Sequence, residues 1–521
     1  MNRILRTACA AGAALATCGT AFAQPAVNID GPTTVRIFMT GATALRATIA
    51  GLVLNDVCGG SAANASTTLY NLAESGSGFT FAGNFWAITC NVTAAGGAKV
   101  GLAAGTPVAF FKSDNGGSAQ GVFPVFFQDD RPFVQPVPLA GCTTTVVANR
   151  VYSGCPATRI SKPTFGVSDV EPGLFQGFNV PNNDPLDTED DLYPANGLSP
   201  AQLAQMTIRP VVQTVFGVAV NVNLYNAMFA KQGLATRFSS TGAACTTAST
   251  DENCIPSMGY AEARTLFAGL ATNWRLLTTS TDPNLNSQVN VCRRVNGSGT
   301  QSSANVGLLD FPCSPRALAP ASWDFSTSVQ PEPSSSLANT TVSGLTFAQY
   351  LDINMGGAPS SGVFPPMPQG SLFVFEGPGT GDVITCLNRA NNGGGYAVGH
   401  VSRENAPGTN QWRHVRLEGA FPSRDNLKNG RYDYAYESTM QYLNTAFNAL
   451  TAQQRAFVTG FITESRKPDS LAKLSSANQQ GVAALPSAYP GAFGTGSAND
   501  IAFGSRVTRG GNSCTPFSAV K

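Results

Sequence analysis

Hydrophobic and polar positions along this chain fall into blocks that read as strands followed by helices. Thr34 to Met39 (Thr-Val-Arg-Ile-Phe-Met) predicts a strand, and the apolar spacing from Ala42 to Leu54 predicts a helix directly after it. Thr106 to Phe111 repeats the strand pattern and runs into a Gly/Ser-rich turn over 113–121. Val211 to Val222 is a longer, β-branched run without a single charge, as expected of a strand covered on both faces. Thr451 to Ser465 has the spacing of an amphipathic helix, with Thr451 placed to cap it. Strands alternating with helices predict an α/β fold. Segments 60–105, 125–160, 178–208, 235–258 and 312–370 are rich in Gly, Ser, Pro, Thr and Asn and read as insertions or loops; no regular repeat is present.

A chain of 521 residues can bury more than one core, so two or more lobes are expected. Charge is sparse and balanced, with 32 basic and 31 acidic residues. That balance argues against nucleic acid and against a polybasic membrane surface. The first residues read as a secretion signal. Arg3 and Arg6 form a basic start, Ala8 to Ala16 an apolar middle, and Ala21-Phe22-Ala23 a cleavage site before Gln24. A cleaved, soluble, periplasmic or secreted protein is expected. No later segment has the length and apolarity to span a bilayer. Ten cysteines follow the signal, an even number that in an exported chain points to disulfides. Pairing neighbours along the chain gives 58–90, 142–155, 245–254, 292–313 and 386–514.

The densest chemistry lies at Arg293-Arg294-Val295-Asn296-Gly297-Ser298-Gly299-Thr300, ahead of a helix start at 301–305. A helix N-terminus offers unpaired N–H groups and a partial positive charge, and glycines allow a ligand to approach the backbone. Ser298 and Thr300 add hydroxyls and Arg294 a planar fixed charge, so this is a corner suited to phosphate or sulfate. A structural cap at Ser298 explains the same residues. Asp169 and Thr43 likewise read either as helix caps or as site residues.

Four segments resemble, in order, those of the phosphate-specific periplasmic binding proteins of ABC transporters. Met39-Thr40-Gly41-Ala42-Thr43-Ala44 resembles that family's Gly-Ala-Thr loop, and Thr164 to Asp169 its Phe-Gly-x-Ser-Asp segment. Cys292 to Thr300 resembles its Arg-x-x-Gly-Ser-Gly-Thr loop. The stretch from Val415 through Pro422-Ser423 to Tyr432 resembles its return segment. The resemblance implies an α/β, two-lobed periplasmic-binding-protein-like fold with two crossover strands and a ligand cleft between the lobes. The lobes would comprise 24–210, 211–396 and, returning to the first, 397–521 after a signal at 1–23. Val211 to Val222 and Ala397 to Val401 would be the crossings. The implied ligand-binding residues are Thr43, Ala44, Ser118, Asp169, Arg294, Ser298, Gly299 and Thr300. Asp169 would accept the proton of a hydrogen phosphate, leaving sulfate, which has none, facing an unshared charge.

Two positions depart from that family. Asn296 stands where an acid usually partners the arginine, and Ala44 where a bulkier residue often stands. The resemblance implies no enzyme activity, cofactor or metal, a phosphate-like oxyanion as ligand, an inner-membrane ABC permease as partner, and a monomer. A secreted surface or matrix protein on the same fold, without phosphate transport, is the alternative. The other motifs are weaker. Asp184 to Asp191 does not have the spacing of an EF-hand loop. Gly116 to Gln120 narrowly misses the nucleophile-elbow pattern, and His400 and His414 are the only histidines.

Overall fold

The computed structural model describes residues 27–521 apart from 62–63, 76–77, 136–140, 143, 147–149, 182–192, 272, 282–287, 322–340, 343–344, 347–370, 378 and 393. The signal segment, the acidic loop Asp184 to Asp191 and most of 312–370 lie outside the described residues.

Twelve strands form the path of one large mixed sheet. They are β1 (Val35–Gly41), β2 (Thr68–Tyr70), β3 (Phe85–Asn91), β4 (Pro107–Ser113), β5 (Thr144–Val146) and β6 (Val151–Ser153), then β7 (Phe165–Ser168), β8 (Met206–Asn221), β9 (Gln288–Arg294), β10 (Ser371–Gly377), β11 (Ala397–Ser402) and β12 (Ala435–Leu443). Their spatial order is β10-β9-β11-β8-β12-β7-β1-β4-β3-β2-β6-β5. Two short strands, Trp412–His414 and Val482–Ala484, also pair with β8.

The architecture is α/β and two-lobed, and β8 joins the two halves. Its first part, through Val215, pairs with β12, and from Phe216 it pairs with β11. This is the uncharged run of the sequence; from Val211 to Asn221 every side chain is buried. A strand covered on both faces needs no polar alternation, which is why valines stand on both faces of the run. The observed strand starts five residues before the predicted one, at Met206.

In the first half, β1 lies between β4 and β7 and is parallel to both. Ile37, Met39, Phe110 and Phe165 form one core with Phe457, Val458, Phe461 and Ile462 of α6, named below. A second core around Val218, Val289, Val291, Ala304 and Leu308 fills the other half and continues into the first through Ala44, Ala119 and Val122. The helices include α1 (Arg46–Leu52), α2 (Ala94–Val100), α3 (Tyr260–Phe267), α4 (Gly299–Leu309), α5 (Thr380–Asn392) and α6 (Ala452–Ser465), of which α4 and α5 start at the site. Helix α6 begins as expected, with Thr451 and Gln454 in a reciprocal capping box. Helix α1 starts later than its apolar spacing predicts, because Gly41 to Leu45 form the turn that leaves β1; a π-turn over Val53–Val57 closes it.

Three disulfides pair as neighbours, Cys58–Cys90, Cys142–Cys155 and Cys245–Cys254. The other two correct the neighbour rule. Cys292 pairs with Cys386, and Cys313 with Cys514. Cys386 lies on the apolar face of α5 with Val383 and Leu387, and that face packs on β9, which carries Cys292. Cys313 follows α4 and meets the C-terminal tail instead. Among the described residues no helix is long and apolar enough to cross a membrane.

Candidate functional site

Parallel strands bring their carboxyl ends to one edge, and in open α/β sheets that edge is where ligands bind. Here β1, β4 and β7 run in register with one another, pairing Thr40 with Ser113 and Gly41 with Val167. Their ends therefore deliver Thr43, the turn carrying Ser118, and Asp169 to one place. On the other side β9 and β10 are parallel, pairing Arg294 with Gly377. Their ends deliver the loop into α4 and the start of α5.

The two sides touch. The N–H of Ala119 donates to Gly297 O at 2.9 Å. Gly299 sits so tightly that a Cβ there would collide with Ser118 Oγ and lie 2.7 Å from Asp169 Oδ2. Ser118 Oγ donates to Asp169 Oδ2 at 3.1 Å and accepts from the Asp169 N–H at 3.1 Å. Ser118, Asp169, Ser298, Gly299 and Thr300 thus converge. Ser298 does cap α4, accepting from Gln301 N–H at 3.4 Å. Asp169 caps no helix, since the following 3₁₀ turn is entered through Glu171. Thr43 caps nothing either; its hydroxyl donates to Asp114 O at 3.3 Å. Ala44 is buried in the core shared with Ala119 and Val122.

The polar atoms left over are informative. Asp169 and Thr300 are each 1% exposed, yet Asp169 Oδ1 and Thr300 Oγ1 have no hydrogen-bond partner in the protein. Buried polar atoms are normally paired, so an orphan on Asp169, which a Cβ at Gly299 would touch, and another on Thr300, the next residue along, are a reason to look for a ligand there. Burial pushes the Asp169 carboxyl up to about 6, against the opposing pull of the Ser118 hydroxyl, Arg294 and Lys112.

Arg294 is fully buried. Its Nε donates to Gly377 O at 3.1 Å and a terminal nitrogen to Thr380 Oγ1 at 3.4 Å. Burial lowers its pKa to about 10, while Asp382 and Asp169 hold it up. The acid missing at 296 is therefore offset from α5 by Asp382. Asn296 instead receives the neighbouring Arg293, which also pairs with Glu376. Gln301 accepts both the Arg294 N–H at 3.2 Å and His400 Nε2 at 3.0 Å, tying the loop to β11. Burial, then the two arginines, holds His400 down at about 3, so this ring is neutral.

Sequence reasoning missed Lys112, Asp114, Thr380, Asp382, Gln301 and His400. Only Lys112 left a trace, as a charge at the end of the apolar run Val108 to Phe111. The serine of the near-miss nucleophile motif bonds to Asp169 and to no histidine.

No protein-family model matches this chain, and no curated protein matches it in sequence. Among solved structures, it is similar to a Clostridium perfringens protein assigned as a phosphate ABC transporter substrate-binding protein with bound phosphate. The identity is 11%, the TM-score 0.38, and the alignment covers 84% of this chain and 98% of that one. It is also similar to an ABC-type phosphate transport receptor from Vibrio cholerae (8% identity, TM-score 0.32, 82% of this chain and 93% of that one). A third is PstS from Borrelia burgdorferi (9%, 0.32, 84% and 97%). The reading of the site rests on its geometry, not on these likenesses.

Proposed function

We propose that this chain is an exported solute-binding protein that holds phosphate, or an oxyanion of the same shape and protonation, between its two lobes. The observation that carries this reading is the pair of buried, unpartnered oxygens, Asp169 Oδ1 and Thr300 Oγ1, beside the α4 N-terminus. A hydrogen phosphate needs many donors and one acceptor. Arg294, the Ser298 and Thr300 hydroxyls, the Thr43 turn and the first N–H groups of α4 supply donors. Ionised Asp169 supplies the acceptor for the P–OH. Sulfate has no proton to give, so it meets an unpaired buried carboxylate, a penalty of about 1–3 kcal/mol or more.

Delivery to an inner-membrane ABC permease from the periplasm follows from this role, with β8 and β11 as the strands about which the lobes would close. The reading contains no reaction and requires no cofactor. Equilibrium dialysis of ligand-stripped protein against labelled phosphate, with sulfate as competitor, tests it. Saturable binding that survives excess sulfate supports it; a folded protein that retains no label refutes phosphate as the ligand.

A further inference from the structure

Lys112 lies beneath the site rather than in it. It sits on β4 opposite Met39 of β1 and Trp86 of β3, and its side chain is fully buried. An ammonium has three donors, and here all three are used. Nζ donates to Gly41 O at 2.5 Å, Ser113 O at 3.1 Å and Asp114 Oδ1 at 2.6 Å. The second Asp114 oxygen accepts from Trp86 Nε1 at 2.7 Å, and the Asp114 carbonyl holds the Thr43 hydroxyl. Gly41, at φ +107°, takes a conformation open to glycine, and the next N–H is fixed by Val167 O at 3.0 Å. The turn that presents Thr43 is thus bound from below by one ion pair.

A fully buried ion pair is poor value for stability alone, because apolar residues of similar volume usually hold a core as well. Such a pair is better explained by a task than by stability. Lys112 is one of the charges that act on Asp169; the others are Arg294 from the far side and Asp114 from the same strand end. Glu404, after β11, lies within electrostatic reach of Asp169, Asp114 and Arg46, and its Oε2 is buried without a partner. Arg46 in turn lies within electrostatic reach of Lys112 and Arg294.

We propose that Lys112 is a positioning residue of the anion site, fixing the Gly41–Thr43 turn from beneath and placing a positive charge behind Asp169. The role rests on the anion-site reading above. It makes an asymmetric demand. If the pair were only a structural tie, breaking it from either end would loosen the same turn and have the same effect. If Lys112 acts through its charge, Lys112→Met and Asp114→Asn move the Asp169 titration in opposite directions.

The test is the pH titration of the Asp169 side-chain carboxyl by ¹³C NMR in the ligand-free full-length protein, with Asp169→Asn assigning the signal. The midpoint is expected to rise by roughly one unit in Lys112→Met and to fall in Asp114→Asn. Shifts of the same sign, or no shift, would overturn the proposal. Should Lys112→Met fail to fold, Asp114→Asn still decides, since a rise or no change there is equally fatal. Phosphate binding by the same wild-type sample is read separately. Opposed shifts in a protein that binds no phosphate would support the role of Lys112 while overturning phosphate as the ligand.

Discussion

The two sides of the interlobe site are built on different principles. The β1–β4–β7 side contributes carboxylates: Asp169 faces the site and Asp114 lies behind it, balanced by Lys112 in a fully buried ion pair. The β9–β10 side contributes cations and helix ends: Arg294, the α4 N-terminus and the start of α5. If the site holds an oxyanion as proposed, one side can test for a proton, and the other supplies attraction to any anion. An anion site that had only the second side would bind sulfate and phosphate alike. The proposed anion site would thus keep selectivity and affinity separable, and single substitutions on each side should tell them apart.

The largest effect is expected on the attractive side. Arg294→Met removes a desolvated cation and should cost about 2–5 kcal/mol of binding for phosphate and for sulfate alike. Calorimetric affinities for both anions check this, and selective loss of one would break the comparison. Gly299→Ala comes next. The added methyl would meet Ser118 and Asp169, so the two sides could not approach; affinity should fall by tenfold or more, about 1.4 kcal/mol. An affinity titration of a variant with unaltered circular dichroism reads it.

Asp169→Asn should act on discrimination more than on attraction. Phosphate binding weakens, sulfate binding strengthens, and the ratio of the two constants moves toward unity. The same variant has a stability signature. Asp169 is raised from 3.8 to about 6 in the folded state, so the folded protein binds this proton more tightly than the unfolded chain. Its favourable contribution is full below pH 3.8 and is lost as pH rises through about 6. Above that pH the ligand-free Asn variant should be the more stable protein, by up to about 3 kcal/mol in urea unfolding. His400, near 6.5 when unfolded and held down at about 3 when folded, costs stability as pH falls below about 6.5; that opposite trend is common to both proteins and cancels in the comparison.

The smallest effect lies away from both sides. Thr451→Ala removes the α6 cap and should lower unfolding stability by about 1 kcal/mol. Phosphate affinity should not change, since α6 packs on the outer core with Phe110 and Phe165.

How much of this was legible in the sequence follows from how local each feature is. The β8 run, the capped α6 and the loop from Arg294 to Thr300 are set by neighbours within a few residues; all three are present, with β8 starting five residues early, at Met206, and α4 two residues early, at Gly299. Asp169 and Ser118 lie 51 residues apart, yet each follows its own strand into a turn, so the resemblance could find them. Lys112 and Asp114 were not legible as a pair. Two charges at a strand end read as a solvated edge, and only the third dimension puts them under a turn. Asp382 was invisible as the partner of Arg294, because its place depends on β10 pairing with β9 across a long intervening segment. The Cys292–Cys386 bridge failed for the same reason: it spans a separation of 94 residues that only the packing of α5 closes.

The most direct test of the central claim is phosphate titration calorimetry of wild-type and Asp169→Asn protein between about pH 5 and about pH 8. The account predicts that wild-type affinity, corrected for the titration of the ligand itself, falls as pH drops through about 6, and that the Asn variant lacks this fall. Wild-type and variant protein with the same pH profile, or a folded wild type that releases no heat with phosphate at any pH, would contradict it.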